Sequence, residues 1–411
     1  MNVVADRGPA AATREMPDPS LESKNVGPLR ETVNDIAPSS TQGSVSMSYL
    51  LLIGTSKGLF TATSTDRRAW ELTGPVTLDG AGEYLSSVYA VGIDTRRDEP
   101  RLLVGSDSSH FGPSVWHSDD LGATWNEPSD APPISFPDGG DTSFARAWQF
   151  AFGPEKDVVY AGVEPTALFR SDDGGVTFAL NQSLWDHPHR PNWTPGFGGA
   201  AVHTILPHPD DPSRVVIAMS TGGVYQTEDG GASWTPTNHG IAADFLPDET
   251  PEYGQCVHKA VRDAMEPSRF FAQNHGGVYR SDDDGHDWGS IAAGLPSDFG
   301  FAMLAHPHRA DTVLTFPVST EGNRFPPNAR LQVQRSDDGG RHWRSVSDGL
   351  PEEPYYGIVL RDAACTDGDT EPGWYFGTRN GDVFVSTGDD HRWSQVAAHL
   401  PDVLCVRAAR I

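Results

Sequence analysis

One octad recurs seven times along this chain at a nearly constant interval, and that period leaves few folds open. It reads SDDLGATW (Ser118–Trp125), SDDGGVTF (Ser171–Phe178), TEDGGASW (Thr227–Trp234), SDDDGHDW (Ser281–Trp288) and SDDGGRHW (Ser336–Trp343). Two looser copies flank these, STDRRAW (Ser64–Trp70) and STGDDHRW (Ser386–Trp393). The closing aromatics stand 50 to 56 residues apart. Each octad has the chemistry of a turn. Its Ser and Asp side chains can bond backbone groups a few residues on, its central Gly permits positive φ, and its final Trp or Phe supplies a large apolar surface. Seven scattered copies cannot all line one site, so the octads read as structural rather than as calcium or sugar ligands.

Each period also holds about four strand-like runs. Between Ala201 and Thr237 these are AVHTILPHP, RVVIAMS, VYQT and SWTPT, with short turns between them. Four-stranded units at this spacing predict the blades of a propeller. The predicted class is therefore all-β, a seven-bladed β-propeller over residues 48–411. Its first unit lacks an inner strand, and the terminal PDVLCVRAARI is expected to supply it, closing the ring. Residues 1–47 carry no aromatic residue and no period, and read as a disordered extension.

Composition narrows the partners. With 30 Lys and Arg against 56 Asp and Glu, the net charge is −26. Such a surface repels phosphate backbones and anionic lipid, so neither nucleic acid nor membrane is an expected partner. Three cysteines give no disulfide framework and fit a reducing compartment, and no secretory h-region is visible. The expectation is a cytoplasmic protein with a small-molecule or glycan ligand.

Strand direction alternates, which sorts the loops by face. The octads fall on one face. The longer insertions 126–142, 180–199, 236–254 and 318–329 fall on the other, where a ligand site is expected. Aligning repeats within that face places His203 and His258 in one inner-strand slot of neighbouring blades, with Trp148 and Phe301 as counterparts. Glu164 and His275 fall on adjoining turns, and Cys256 shares a strand face with His258. Glu164, His203, His258 and His275 are thus a candidate ligand set for a divalent ion, zinc or another borderline transition metal. A histidine near an axial channel can equally serve only to bond a neighbouring backbone. His110, Arg146, Arg262, Glu321 and Arg379 are expected around the same mouth. There Arg146 and Arg262 would hold an acidic group of a ligand, and Glu164 with Glu321 would form a carboxylate pair. The insertion WDHPHRPNW brings Trp185, His187 and Trp193 nearby, suited either to stacking on a sugar or to packing on their own blade.

The octads resemble the Asp-box repeats of sialidases and other BNR-repeat proteins, over about residues 49–411. LLIGTSKGLF, GVYRSDDDGHDW and GLPSDFGF look like bacterial seven-bladed BNR, WD40/YVTN-like proteins, a group often placed with the sialidases or glycosyl hydrolases. Sialidases carry an Arg-Ile-Pro motif that this chain lacks, so no sialidase catalytic residue transfers to it. Seven-bladed xyloglucan hydrolases are also similar, as pairs of propellers, and so are photosystem assembly factors, which bind without catalysis. Three functions stay open: a metal-dependent hydrolase or lyase acting on a small polar substrate, a non-catalytic protein- or glycan-binding propeller, and a two-carboxylate glycoside hydrolase.

Overall fold

The computed structural model describes residues 47–78, 85–128, 131–137, 142–196, 199–320 and 322–411. The expected extension before Met47 and the candidate Glu321 lie outside the described residues.

Seven antiparallel sheets form the blades, six of four strands and one of three among the described residues. The innermost strands are Val403–Arg410, Ser87–Asp94, Arg146–Phe152, Val202–Pro207, Val257–Arg262, Phe299–Ala305 and Ala364–Thr366 for blades 1 to 7. Successive inner strands touch in a closed cycle, the seventh meeting the first. The closure expected from the sequence is present. Val403–Arg410 pairs with Tyr49–Thr55, from Tyr49↔Arg410 to Thr55↔Val403. The apolar core lies between the faces of neighbouring blades, and no helix among the described residues is long and apolar enough to cross a membrane.

The octads are the turns their chemistry implies. In Thr227–Trp234, Thr227 Oγ1 donates to Asp229 at 2.7 Å and accepts from Gly231 N at 2.9 Å. Asp229 then accepts from the backbone and hydroxyl of Ser233 at 2.9 and 2.6 Å. The central glycines Gly122, Gly175, Gly231, Gly285 and Gly340 hold φ between 86° and 90°, where a side chain would be strained. Four of the closing tryptophans tie their blade to the one before. The indole N–H groups of Trp234, Trp288, Trp343 and Trp393 donate to Asn181, Thr237, Ile291 and Val346, just past the outer strand of the preceding blade.

These bonds give the octads a pH signature. Hydrogen bonds from Thr124, Ser233 and His342 hold the carboxyls of Asp120, Asp229 and Asp338 down at about 2. A depressed folded-state pKa stabilises above the unfolded value and loses that contribution as pH falls through the folded one. Thermal melts should therefore show Asp229→Ala less stable than the parent at neutral pH, with the gap narrowing between about pH 4 and 2. An equal gap at both ends of that range would show that the octad carboxylate stabilises nothing through its charge.

Candidate functional site

Each inner strand begins on the face opposite the octads, and there the ladders of blades 1 to 6 share one irregularity. In blade 2 the pairs Val88↔Ser106 and Ala90↔Gly105 leave Tyr89 unpaired. In blade 3 Trp148 is skipped in the same way, in blade 4 His203, in blade 5 His258, and in blade 1 Leu404. In blade 6 the shift spans Phe301 and Ala302. A bulge of this kind re-aims a side chain out of the pleat. Tyr89, Trp148, His258, Phe301 and Leu404 line one central cavity of about 780 Å³. Arg361, just ahead of the short inner strand of blade 7, lines it too.

The cavity is aromatic with a cationic lining. Arg361 lies over the rings of Phe301 and Trp148, 5.3 and 5.8 Å from their centroids. Burial lowers its pKa, and its buried Nε has no hydrogen-bond partner among the described residues. The other arginines on the wall are Arg146, Arg324 and Arg379. Arg146 bridges Glu164 at 3.3 Å and Asp107 at 3.5 Å and stacks on Tyr89, while Arg379 bonds Asp402 at 3.0 Å.

Asp362 lies beneath. Its Oδ1 accepts from Lys259 at 2.6 Å, Arg407 at 2.9 Å and Gln149 at 3.2 Å. Burial alone would raise its pKa, but Lys259 and Arg407 outweigh it and hold the carboxyl below its usual value. Blades 1, 3, 5 and 7 thus meet at one carboxylate.

Cys256, His258 and His275 converge on the same wall, their donor atoms all within 4.8 Å of one another. His258 Nδ1 lies 2.6 Å from the carbonyl of Gly300, which can only accept, so this nitrogen carries the proton. Burial pushes the pKa of His258 well below its ordinary value, and Arg361 adds to the effect.

Of the four metal candidates read from sequence, the structure brings His258 and His275 together. Cys256 completes that cluster, and neither Glu164 nor His203 belongs to it. Glu164 is engaged by Arg146 and by Trp148 Nε1 at 3.0 Å. His203 is fully buried, with Nδ1 3.4 Å from Thr204 Oγ1 and Nε2 without a partner among the described residues.

Arg262 departs from its expected place. It ends its strand on the octad face, bonding the carbonyls of Pro267 and Leu206 beneath the ring of Phe270. Burial there pushes its pKa down to about 10. No ion pair joins it to the adjacent Asp263 among the described residues. Asp263 instead accepts from the backbone of Met265, Glu266 and Asp311.

His110 sits on an exposed turn of blade 2, edge-on to Phe111 and outside the central cavity. The rings of the 180–199 insertion pack on their own blades. Trp185 lies against Phe136 under Arg190, and Trp193 is buried with its N–H on Tyr225. His187 stacks on Trp193 and contacts the Trp234 carbonyl. The end of that insertion, at Pro195 and Gly196, does reach the cavity, as does Arg379. Sequence reasoning missed Arg361, Tyr89, Tyr356 and Asp362. Tyr89 was within reach, because VYAVGID aligns with the inner strands that carry His203 and His258.

No family model matches the chain. It is 26% identical over 340 residues to a xyloglucanase of Hypocrea jecorina, spanning 73% of this chain and 37% of that protein. It is 25% identical over 230 residues to a probable oligoxyloglucan-reducing end-specific xyloglucanase of Neosartorya fischeri, spanning 53% of this chain and 23% of that one. The chain therefore spans well under half the length of these curated relatives. Among solved structures, the GH74 enzyme of Niastella koreensis matches with a TM-score of 0.50 at 13% identity, over 88% of this chain and 58% of that one. An ancestral GH74 enzyme matches with a TM-score of 0.50 at 14% identity, over 76% and 38%. Likeness at that identity is likeness of fold.

Proposed function

We propose that the chain is a glycan-recognising propeller, of the glycoside hydrolase type, and that its ligand is an acidic sugar held in the central cavity. Support for a carbohydrate comes from the two xyloglucanase relatives and from the rings of Tyr89, Trp148, Phe301 and Tyr356 on the cavity wall, which suit sugar stacking. The observation that carries the acidic group is Arg361. It is a guanidinium on the cavity wall, flanked by two aromatic rings, with no ion pair to a carboxylate among the described residues. A fork of that kind takes a carboxylate or sulfate bidentately. The surrounding charge of −26 would repel such a ligand, so its affinity must come from local cations.

The test is calorimetric binding of uronic-acid oligosaccharides beside neutral xyloglucan oligosaccharides. The acidic series should bind, and Arg361→Ala should weaken it by at least about tenfold, as expected for a hydrogen bond to a charged group worth about 1.5–3 kcal/mol. Equal binding of the neutral series, indifferent to Arg361→Ala, would remove the acidic ligand from the proposal.

One observation favours a second reading, binding without cleavage. A two-carboxylate hydrolase needs one acid kept protonated. Of the carboxylates on the cavity wall, Asp362 is held ionised by Lys259 and Arg407, and Asp402 is paired with Arg379. Release of new reducing ends from a bound oligosaccharide would exclude that reading.

A further inference from the structure

Cys256, His258 and His275 form a donor set that neither the glycan reading nor the xyloglucanase relatives account for. Cys256 and His258 are buried at the start of one inner strand, and His275 is half-buried on the turn that follows the next strand. Two backbone features set the arrangement. The bulge at His258 turns its ring into the cavity, and the N–H of His275 donates to the Cys256 carbonyl at 2.8 Å, clamping the turn against the strand. Because His258 Nδ1 donates to Gly300 O, its Nε2 presents a lone pair. That is the orientation a metal-bound imidazole takes when a backbone carbonyl fixes its tautomer. The His258 and His275 rings meet edge to face with centroids 5.5 Å apart.

We propose that Cys256 Sγ, His258 Nε2 and a ring nitrogen of His275 hold a zinc-type divalent ion whose fourth position opens onto the central cavity. One thiolate with two imidazoles is a borderline-soft set suited to zinc and cobalt, and three protein ligands leave a site open to water or an anion. Tetrahedral bonds of about 2.3 Å to sulfur and 2.0 Å to nitrogen separate the donors by roughly 3.3–3.5 Å. The present spread of up to 4.8 Å needs closure of about an ångström on binding. Arg361 lies near Cys256, so an anionic fourth ligand would meet both the ion and a guanidinium. Cys256 is also set apart from the other thiols. It lines the cavity, and Cys365 and Cys405 do not.

The experiment uses the full chain and the metal alone. Protein purified from zinc-replete medium should carry about one zinc per chain by elemental mass spectrometry. Cobalt added to the stripped protein should give the near-ultraviolet absorption of a thiolate–cobalt bond. Cys256→Ser and His275→Ala should each lower the metal content at least tenfold, while Glu164→Gln should keep it. Zinc should also slow alkylation of Cys256 by iodoacetamide at least tenfold in the unmutated chain, a readout that needs no variant to fold. Wild-type zinc content no higher than that of Cys256→Ser, or alkylation of Cys256 indifferent to zinc, would overturn the proposal. Loss of the metal in a folded Glu164→Gln would overturn this ligand set.

Discussion

Truncation before Asp402 should leave a chain without a cooperative thermal transition. The deleted segment supplies the whole inner strand of blade 1. It pairs with Tyr49–Thr55 along its length, and Ser48 and Ile411 exchange backbone bonds at 3.0 and 2.7 Å beyond it. Val403, Leu404 and Val406 are buried, and at about 1.5–3 kcal/mol each their loss alone removes roughly 5–9 kcal/mol. Net stabilities are about 5–15 kcal/mol, so little would remain. The loss also reaches blade 7, where Val406 N donates to Asp362 O and Val403 N to Thr378 O. Circular dichroism across a temperature ramp is the measurement. A sharp melt in soluble truncated protein would mean that the ring is held closed by something other than this strand.

Asp362→Ala should be the most damaging single substitution near the channel. It would leave Lys259 buried without its counter-charge and take from Arg407 and Gln149 a shared acceptor. Removing one partner of a buried ion pair costs about 3–5 kcal/mol, because the remaining charge stays desolvated. Asp362→Asn keeps an acceptor and should cost less. Urea unfolding of the two variants checks the order. If Ala and Asn prove equal and near parental, the carboxylate does not hold these four blades together. The pH dependence has a definite sign. With its folded-state pKa depressed, Asp362 stabilises above the ordinary carboxylate value, and the contribution fades as pH falls toward the folded one.

The architecture was legible because the octad marks a backbone event. A Ser–Asp–Gly turn followed by a tryptophan recurs wherever a third strand hands over to a fourth, and counting such events counts blades. The site was legible only where two repeats align without a gap. VHTILPHP against VHKAVRDA put His203 and His258 in one slot, and the structure shows both as bulge residues. Alignment could not tell which of them reaches the cavity, since that depends on the neighbouring side chains. Arg361 was hidden for a different reason. The inner strand of blade 7 is reduced to Ala364–Thr366, so no pattern brings the residues before it into register. Arg262 was misplaced because pattern gives the face of a strand more readily than its end. Trp185 and Trp193 show the limit for loops, where composition alone does not say whether a ring points outward or inward.

The bulges separate two demands that usually compete within a strand. A residue in the ladder must satisfy its partners across the sheet, so changing it disturbs the blade. The skipped residue answers to no cross-strand partner, and in every such blade but the fourth, where His203 is buried, its side chain stands over the channel. Tyr, Trp, His, Phe and Leu already occupy this one kind of position in the same molecule. The scaffold therefore carries a set of interchangeable sockets around its axis. Recognition can be rewritten there one residue at a time, while the turns, tryptophan clamps and closing strand go on holding the wheel together.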